Sequence, residues 1–260
     1  MSQSPPSPQI ERLLAIMARL RDPERGCEWD TAQNFKTIAP YTIEEAYEVS
    51  DAIERNDMAE LRSELGDLLF QVVFHAQMAN EAGHFSFEDV AKSISDKMEA
   101  RHPHIFGDEG GQMNPARWED IKARERSEGG AQSVMDGVAQ ALPALLRSDK
   151  LQSRAARVGF EWDDLQGPRD KLLEELEELN EASDSERLIE AGDVLFVAVN
   201  IVRRYGVDAE QALKAANSKF EVRFRKMEEL ALADGVDFEN LSLDEQEVYW
   251  QRVKKTEKHD

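Results

Sequence analysis

The sequence predicts an all-α fold made of two tandem copies of one helical unit, and three observations carry that prediction. Helix punctuation recurs along the whole chain, whereas strand-like alternation of apolar and polar residues is nearly absent. The second half repeats the motifs of the first in the same order. Between the copies, the stretch from Ser127 to Ser133 contains Gly129-Gly130 and no apolar periodicity, so it reads as a linker.

Taken in order, residues 1–9 are rich in Ser and Pro, with no basic segment leading into an apolar run, and read as a disordered tail. Helices are predicted over 9–21, 42–56, 58–82, 87–102 and 115–126 in the first copy. In the second they are predicted over 140–157, 168–182, 185–205, 209–233 and 243–256. Thr42-x-x-Glu45 and Ser242-x-x-Glu245 have the form of capping boxes, and Asp57 and Asp208 are placed as N-caps. Pro115 and Pro168 sit where a first turn accepts proline, and Gly83 and Gly206 read as stops. The expected layout is an N-terminal domain over 10–126, a linker over 127–137 and a C-terminal domain over 138–260.

The repeat is specific. Gly26-Cys-Glu-Trp-Asp30 returns as Gly159-Phe-Glu-Trp-Asp163, and Glu44-Glu45-x-x-Glu48 returns as Glu174-Glu175-x-x-Glu178. Glu64-Leu-Gly-Asp-Leu-Leu-Phe70 returns as Glu190-Ala-Gly-Asp-Val-Leu-Phe196. Lys97-x-x-x-Arg101 is matched by Lys219-x-x-x-Arg223, and Trp118-x-x-x-Lys122 by Trp250-x-x-x-Lys254.

Charge narrows the partners. With 53 acidic against 32 basic residues the net charge is −21, so the surface field disfavours nucleic-acid polymers and anionic membranes. The apolar stretches Leu68–Phe74 and Val194–Val202 are too short for a membrane span. The lone Cys27 forms no internal disulfide, suits a reducing, cytoplasmic setting and reads as a small core residue. A small anionic substrate remains compatible with this field if a metal or a local Lys/Arg group inverts it within the site.

Residues three apart on a helix share a face, so Glu175 with Glu178, and Glu190 with Asp193, form two carboxylate pairs on consecutive helices. Antiparallel packing brings the pairs together, and four such acids repel unless a cation neutralises them. Hard oxygen donors suit Mg²⁺, with Mn²⁺ as a substitute. Asp193 lies in Gly-Asp-Val-Leu-Phe-Val-Ala-Val, a mostly apolar helix where an unpaired charge is costly, and the polar positions 190, 193, 200 and 204 form one stripe. Lys219 and Arg223, one turn apart, are placed to grip phosphate oxygens. Glu174 is a candidate proton acceptor beside the ligands. Trp250 with Lys254 is the candidate base platform, and Asn200 a candidate ligand donor.

The Glu-Glu-x-x-Glu, then Glu-x-x-Asp, pattern followed by Lys-x-x-x-Arg resembles the MazG family of nucleoside triphosphate pyrophosphohydrolases. The likeness covers Leu13 to Trp29, Pro40 to Gly83, Arg101-His-Pro-His-Ile-Phe106 and Ala216 to Phe224, and matches the tandem-domain form. It implies four-helix cores that commonly dimerise and Mg²⁺ held by the carboxylates. It also implies broad action on NTPs and dNTPs that yields monophosphate and pyrophosphate in nucleotide-pool housecleaning. Asn217, within the matched Ala216 to Phe224, joins the expected substrate-binding set.

The halves differ beyond the carboxylates. Lys171 corresponds to Tyr41 and Asn200 to Phe74, and both first-half residues lack groups that bind a nucleotide. The C-terminal half is therefore the expected main active site, with Lys171 as an added phosphate ligand, and Glu45, Glu48, Glu64 and Asp67 form a second, residual metal site. Two rivals are weighed. A carboxylate-bridged di-iron bundle needs two Glu-x-x-His pairs, and Glu81-x-x-His84 and Glu99-x-x-His102 have the spacing but sit at helix ends without a counterpart in the second copy. A non-catalytic dimeric scaffold or nucleotide sensor leaves the complete acidic and basic set of the second half unexplained.

Overall fold

The computed structural model describes residues 8–108 and 110–257, and every regular element among them is helical. The chain divides into two compact units after Lys122. The first contains α1 (Pro8–Leu20), α2 (Glu28–Ala32), α3 (Phe35–Glu54), α4 (Met58–Glu81), α5 (Phe87–Arg101) and α6 (Pro103–Phe106), and α7 (Pro115–Glu128) runs across the division. The second continues with α8 (Ala144–Arg157), α9 (Gln166–Glu181), α10 (Arg187–Arg204), α11 (Ala209–Ala233), a 3-10 turn over Phe238–Asn240, and α12 (Leu243–Thr256).

In the first unit α4 is the axis, with α1, α3 and α5 packed on it. Met17, Ile38, Val73, Phe74 and Met78 are buried there, flanked by Leu13, Leu14, Phe70 and Phe87. Each such side chain contributes about 1.5–3 kcal/mol by leaving water. In the second unit α10 holds the same place, contacted by α8, α9 and α11, while Met227, Ala231, Tyr249 and Val253 join α11 to α12. The order α1, α3, α4, α5 is thus matched by α8, α9, α10, α11, as the repeat predicts.

Several caps form where the sequence places them. Asp57 accepts from the backbone of Ala59 and Glu60, Asp208 from Gln211, and Ser242 closes a reciprocal box with Glu245. Gly83 (φ +73°) and Gly206 (φ +72°) take the left-handed conformation that ends α4 and α10.

Four expectations are corrected. The third helix begins at Phe35, well before residue 42, because Asn34 accepts from Lys36 and Thr37 while the Thr37 side chain accepts from the Asn34 backbone. Pro40 lies inside that helix, where it forgoes one backbone bond without ending the element. Thr42 is therefore no cap: its hydroxyl donates to the Ile38 carbonyl and meets the His75 ring at 3.0 Å. Cys27 is exposed, at the N-cap of α2, a short helix too brief to show periodicity. Most of the expected tail lies outside the described residues, but Pro8 and Gln9 open α1. No described helix is long and apolar enough to cross a membrane.

Candidate metal and nucleotide site

Three of the four predicted acids of the second unit converge. Glu175 of α9 meets Glu190 and Asp193 of α10, each giving a carboxylate oxygen within 4.8 Å of the others. Helical i, i+3 spacing and the short connection 182–186 between two packed helices make this happen. Glu175 is buried, Glu190 half-buried and Asp193 exposed. The exposure of Asp193 corrects the expectation of a mostly buried helix, since α10 also leaves Leu188, Leu195 and Phe196 open: its apolar surface is wider than one chain covers. Glu178 stands beside this trio, its carboxyl hydrogen-bonded to that of Glu175. Desolvation lifts the Glu178 pKa, Lys171 pulls it back and the Glu175 charge adds to the rise.

The first unit gathers a related trio, Glu45 and Glu48 of α3 with Glu64 of α4, in which Glu48 takes part and Asp67, the counterpart of Asp193, does not. Desolvation, followed by the charges of Asp67 and Glu48, holds the Glu45 carboxyl above its ordinary range. Desolvation, followed by Glu48 and Asp67, does the same to Glu64. Acids lifted by their own neighbours mark a place short of positive charge.

Lys171 separates the two sites. Its ammonium lies 2.6 Å from Glu174 and 2.8 Å from Glu175, and the hydrogen bonds it donates to both carboxylates raise its pKa. Tyr41, in its place in the first unit, is exposed and meets Trp29 edge-on with centroids 6.3 Å apart. One lysine leaves the group around Glu174, Glu175, Glu178, Glu190 and Asp193 strongly negative. The clustered hard oxygens therefore fit a divalent cation of the Mg²⁺ type.

The expected substrate-binding residues of α11 and α12 form a separate group that the structure does not join to the carboxylates. Arg223 donates to Glu257 at 3.0 and 2.6 Å, and its guanidinium lies 5.3 Å from the Trp250 ring centroid. Trp250 also meets Phe220 at 5.9 Å. Asn217 and Lys219 are exposed on α11, and Lys254 is half-buried on α12. The first unit has the same motif, with Arg101 5.4 Å and Lys122 5.0 Å from the Trp118 ring. Glu257, which sequence reasoning missed, has its pKa lowered chiefly by the Arg223 hydrogen bond. Nothing in the spacing of the C-terminal run singled it out. Asn200 is buried on α10, where Phe74 of the first unit fills an apolar core.

The Glu-x-x-His pairs of the rival di-iron reading are held by local partners. Arg21 and Gln77 bind Glu81, His84 follows the end of α4, and His102 Nδ1 lies 2.7 Å from the Met98 carbonyl.

Comparison with known proteins matches this arrangement to a family. A model described as the MazG nucleotide pyrophosphohydrolase domain matches residues 33–106, the span that contains Glu45, Glu48, Glu64 and Asp67. The chain is 50% identical to a nucleoside triphosphate pyrophosphohydrolase of Escherichia coli (strain K12), over 96% of its own length and 98% of that relative. The chain belongs to the MazG family. It is also 44% identical to the nucleoside triphosphate pyrophosphohydrolase/pyrophosphatase MazG of Thermotoga maritima, across 94% of this chain and 95% of that one. A nucleoside triphosphate pyrophosphohydrolase of Mycolicibacterium smegmatis is 31% identical across 94% of this chain and 72% of its own. The MazG resemblance read from the acidic motifs is thereby established along nearly the whole chain.

Proposed function

We propose that this MazG-family chain hydrolyses nucleoside triphosphates, NTPs and dNTPs alike, to monophosphate and pyrophosphate in the cytoplasm. Its main site is the carboxylate group of the second unit. The observation that carries this reading is the convergence of Glu175, Glu190 and Asp193 with Lys171 bound to Glu175. Family membership and the relatives' names support the reaction, and the residues supply its logic.

Glu175, Glu178, Glu190 and Asp193 would hold Mg²⁺, or Mn²⁺ in its place, which when bound neutralises phosphate oxygens and activates water. Lys171, once its carboxylate partners serve a cation, is free to receive a phosphate oxygen. Glu174, exposed beside Glu175, then loses its ammonium partner and becomes available to accept a proton from an incoming water. Lys219 and Arg223, with Asn217 nearby on the same helix, bind the outer phosphates, and Arg223 exchanges Glu257 for substrate as it does so. Two chains pair to cover the open apolar faces, and the domains span 10–126 and 138–260. Glu45, Glu48, Glu64 and Asp67 form a residual metal site.

Product analysis with each NTP and dNTP tests the reading. Pyrophosphate and monophosphate should appear only with Mg²⁺, fall at least about 100-fold in Glu175→Gln and persist in Glu48→Gln. Loss in Glu48→Gln alone would move the active site to the first unit. No pyrophosphate from any nucleotide would leave a scaffold or sensor.

A further inference from the structure

The segment Arg101-His-Pro-His-Ile-Phe106 lies outside both carboxylate groups, yet the first unit folds it in a specific way. Pro103 has no N–H with which to continue α5, so that helix stops at His102 (φ −122°, ψ 55°) and α6 begins with the proline in its first turn. This turn sets the His102 and His104 rings 5.7 Å apart between centroids, and His102 5.6 Å from Trp118 of α7. The same indole has the Arg101 guanidinium at 5.4 Å and the Lys122 ammonium at 5.0 Å. In a chain of net charge −21, two permanent cations and two imidazoles thus collect around one ring. Glu119, 3.1 Å from the Lys122 ammonium, offsets one of those charges.

The ring nitrogens show what the cluster lacks. His102 Nδ1 lies 2.7 Å from the Met98 carbonyl, which only accepts, so Nδ1 carries the hydrogen and Nε2 is the end left for a ligand. That nitrogen gains an N–H on protonation, the form that an adjacent anion favours. His104 Nδ1 is buried and has no hydrogen-bond partner among the described residues. Buried polar atoms are rarely left in that state. With no hydrogen bond to Nδ1 to fix its tautomer, the His104 ring can turn to present an N–H from either nitrogen.

The second unit shows that the two imidazoles are not a requirement of the fold. After Arg223 it reads Phe224-Arg225-Lys226, α11 runs on to Ala233, and Phe224 meets Phe238 edge-on at 5.4 Å. The first unit replaces that apolar contact and continuing helix with a turn that carries two histidines. The cluster also selects its ligand. Arg101 and Lys122 repel a metal ion, whereas guanidinium and ammonium donors match phosphate oxygens. Both cations lie over the indole and His102 stands against it, so the ring already has its partners and the ligand needs no base. Several donors from separate side chains suit several oxygens, as a phosphate chain offers.

We infer that Arg101, His102, His104 and Lys122 form an anion site of the first unit that binds a short phosphate chain, either free pyrophosphate or the tail of a nucleoside triphosphate. On binding, Lys122 exchanges Glu119 for a phosphate oxygen, and the two imidazoles donate to others. None of the four residues is a metal ligand, so occupancy does not require Mg²⁺. The first unit then responds to phosphate compounds whether or not the carboxylate group of the second unit holds a cation.

The test is calorimetric titration of the full chain in EDTA with pyrophosphate and, separately, with ATP, beside nitrogen-15 spectra of the histidine rings. The background is Lys219→Met/Arg223→Met, which removes the basic pair of the second unit. Pyrophosphate should still bind there and should move the ring signals of His102 and His104. Adding Lys122→Met or His104→Phe should weaken that binding about 10-fold or more. Lys122 is half-buried at the surface, so its variant keeps the test decisive if His104→Phe fails to fold. ATP that binds as tightly as pyrophosphate assigns the site to the nucleotide's tail, and ATP that binds at least about 10-fold more weakly assigns it to free pyrophosphate. No binding of either compound in that background, ring signals that stay in place, or undiminished affinity in the folded Lys122→Met chain would overturn the site.

Discussion

Lys171 stands where a cation would otherwise be needed, 2.8 Å from the buried carboxylate of Glu175. Lys171→Met should lower the melting temperature in chelator, because the acids lose the ammonium that binds Glu174 and Glu175. It should also enlarge the rise on adding Mg²⁺, since the ion then relieves more repulsion. Thermal melts in EDTA and in Mg²⁺ read both effects, and equal Mg²⁺ shifts in variant and wild type would remove the lysine from this role. His75 gives a pH prediction. Burial lowers its pKa from the ordinary 6.5, so its neutral form favours the fold. That stability is present above 6.5 and is lost as pH falls through the lowered value. Urea midpoints should therefore drop on acidification less steeply in His75→Gln than in wild type. The acidic trio was legible in the sequence because i, i+3 spacing is local. Gln152 and Glu257 were not, because their partners, Phe196 and Arg223, are distant in sequence and only packing brings them near.

The helices themselves were legible wherever a cap stands at the start of the apolar pattern, as at Asp57, Asp208 and Ser242. The third helix was misplaced because Pro40 looks like a boundary and the true cap, Asn34, lies before a stretch whose periodicity Pro40 obscures. Asn34 satisfies two backbone donors, so Asn34→Ala should cost about 1 kcal/mol in chemical denaturation. An unchanged midpoint would mean that tertiary packing alone fixes the start of α3. The carboxylates Glu45 and Glu48 follow on that helix, so a frayed first turn tests whether the acidic face needs its cap. The short α2 and α6 left no pattern at all, since one turn of helix displays no period.

At the scale of the molecule, the apolar surface exceeds what one chain hides. Leu173 and Leu176 of α9 are 61% and 46% exposed, and Leu188, Ile189 and Leu195 of α10 are 86%, 64% and 57% exposed. Leu188 and Leu195 are two turns apart and so lie on one stripe, largely opposite the helix face that bears Asp193. Full burial of one such side chain is worth about 1.5–3 kcal/mol, whereas association costs on the order of 4–15 kcal/mol. A few contacts are too weak to pair two chains, but an isologous pair buries each residue twice and passes that cost. Light scattering should accordingly give twice the 29.5 kDa of one chain. The double variant Leu188→Glu/Leu195→Glu should return the mass of one chain. Charge works against the pair, because each chain carries −21, so added salt should tighten the dimer by screening that repulsion. An interface held mainly by ion pairs would weaken with salt instead. A wild-type mass of one chain at micromolar concentration would leave these faces open and the pairing proposal without support.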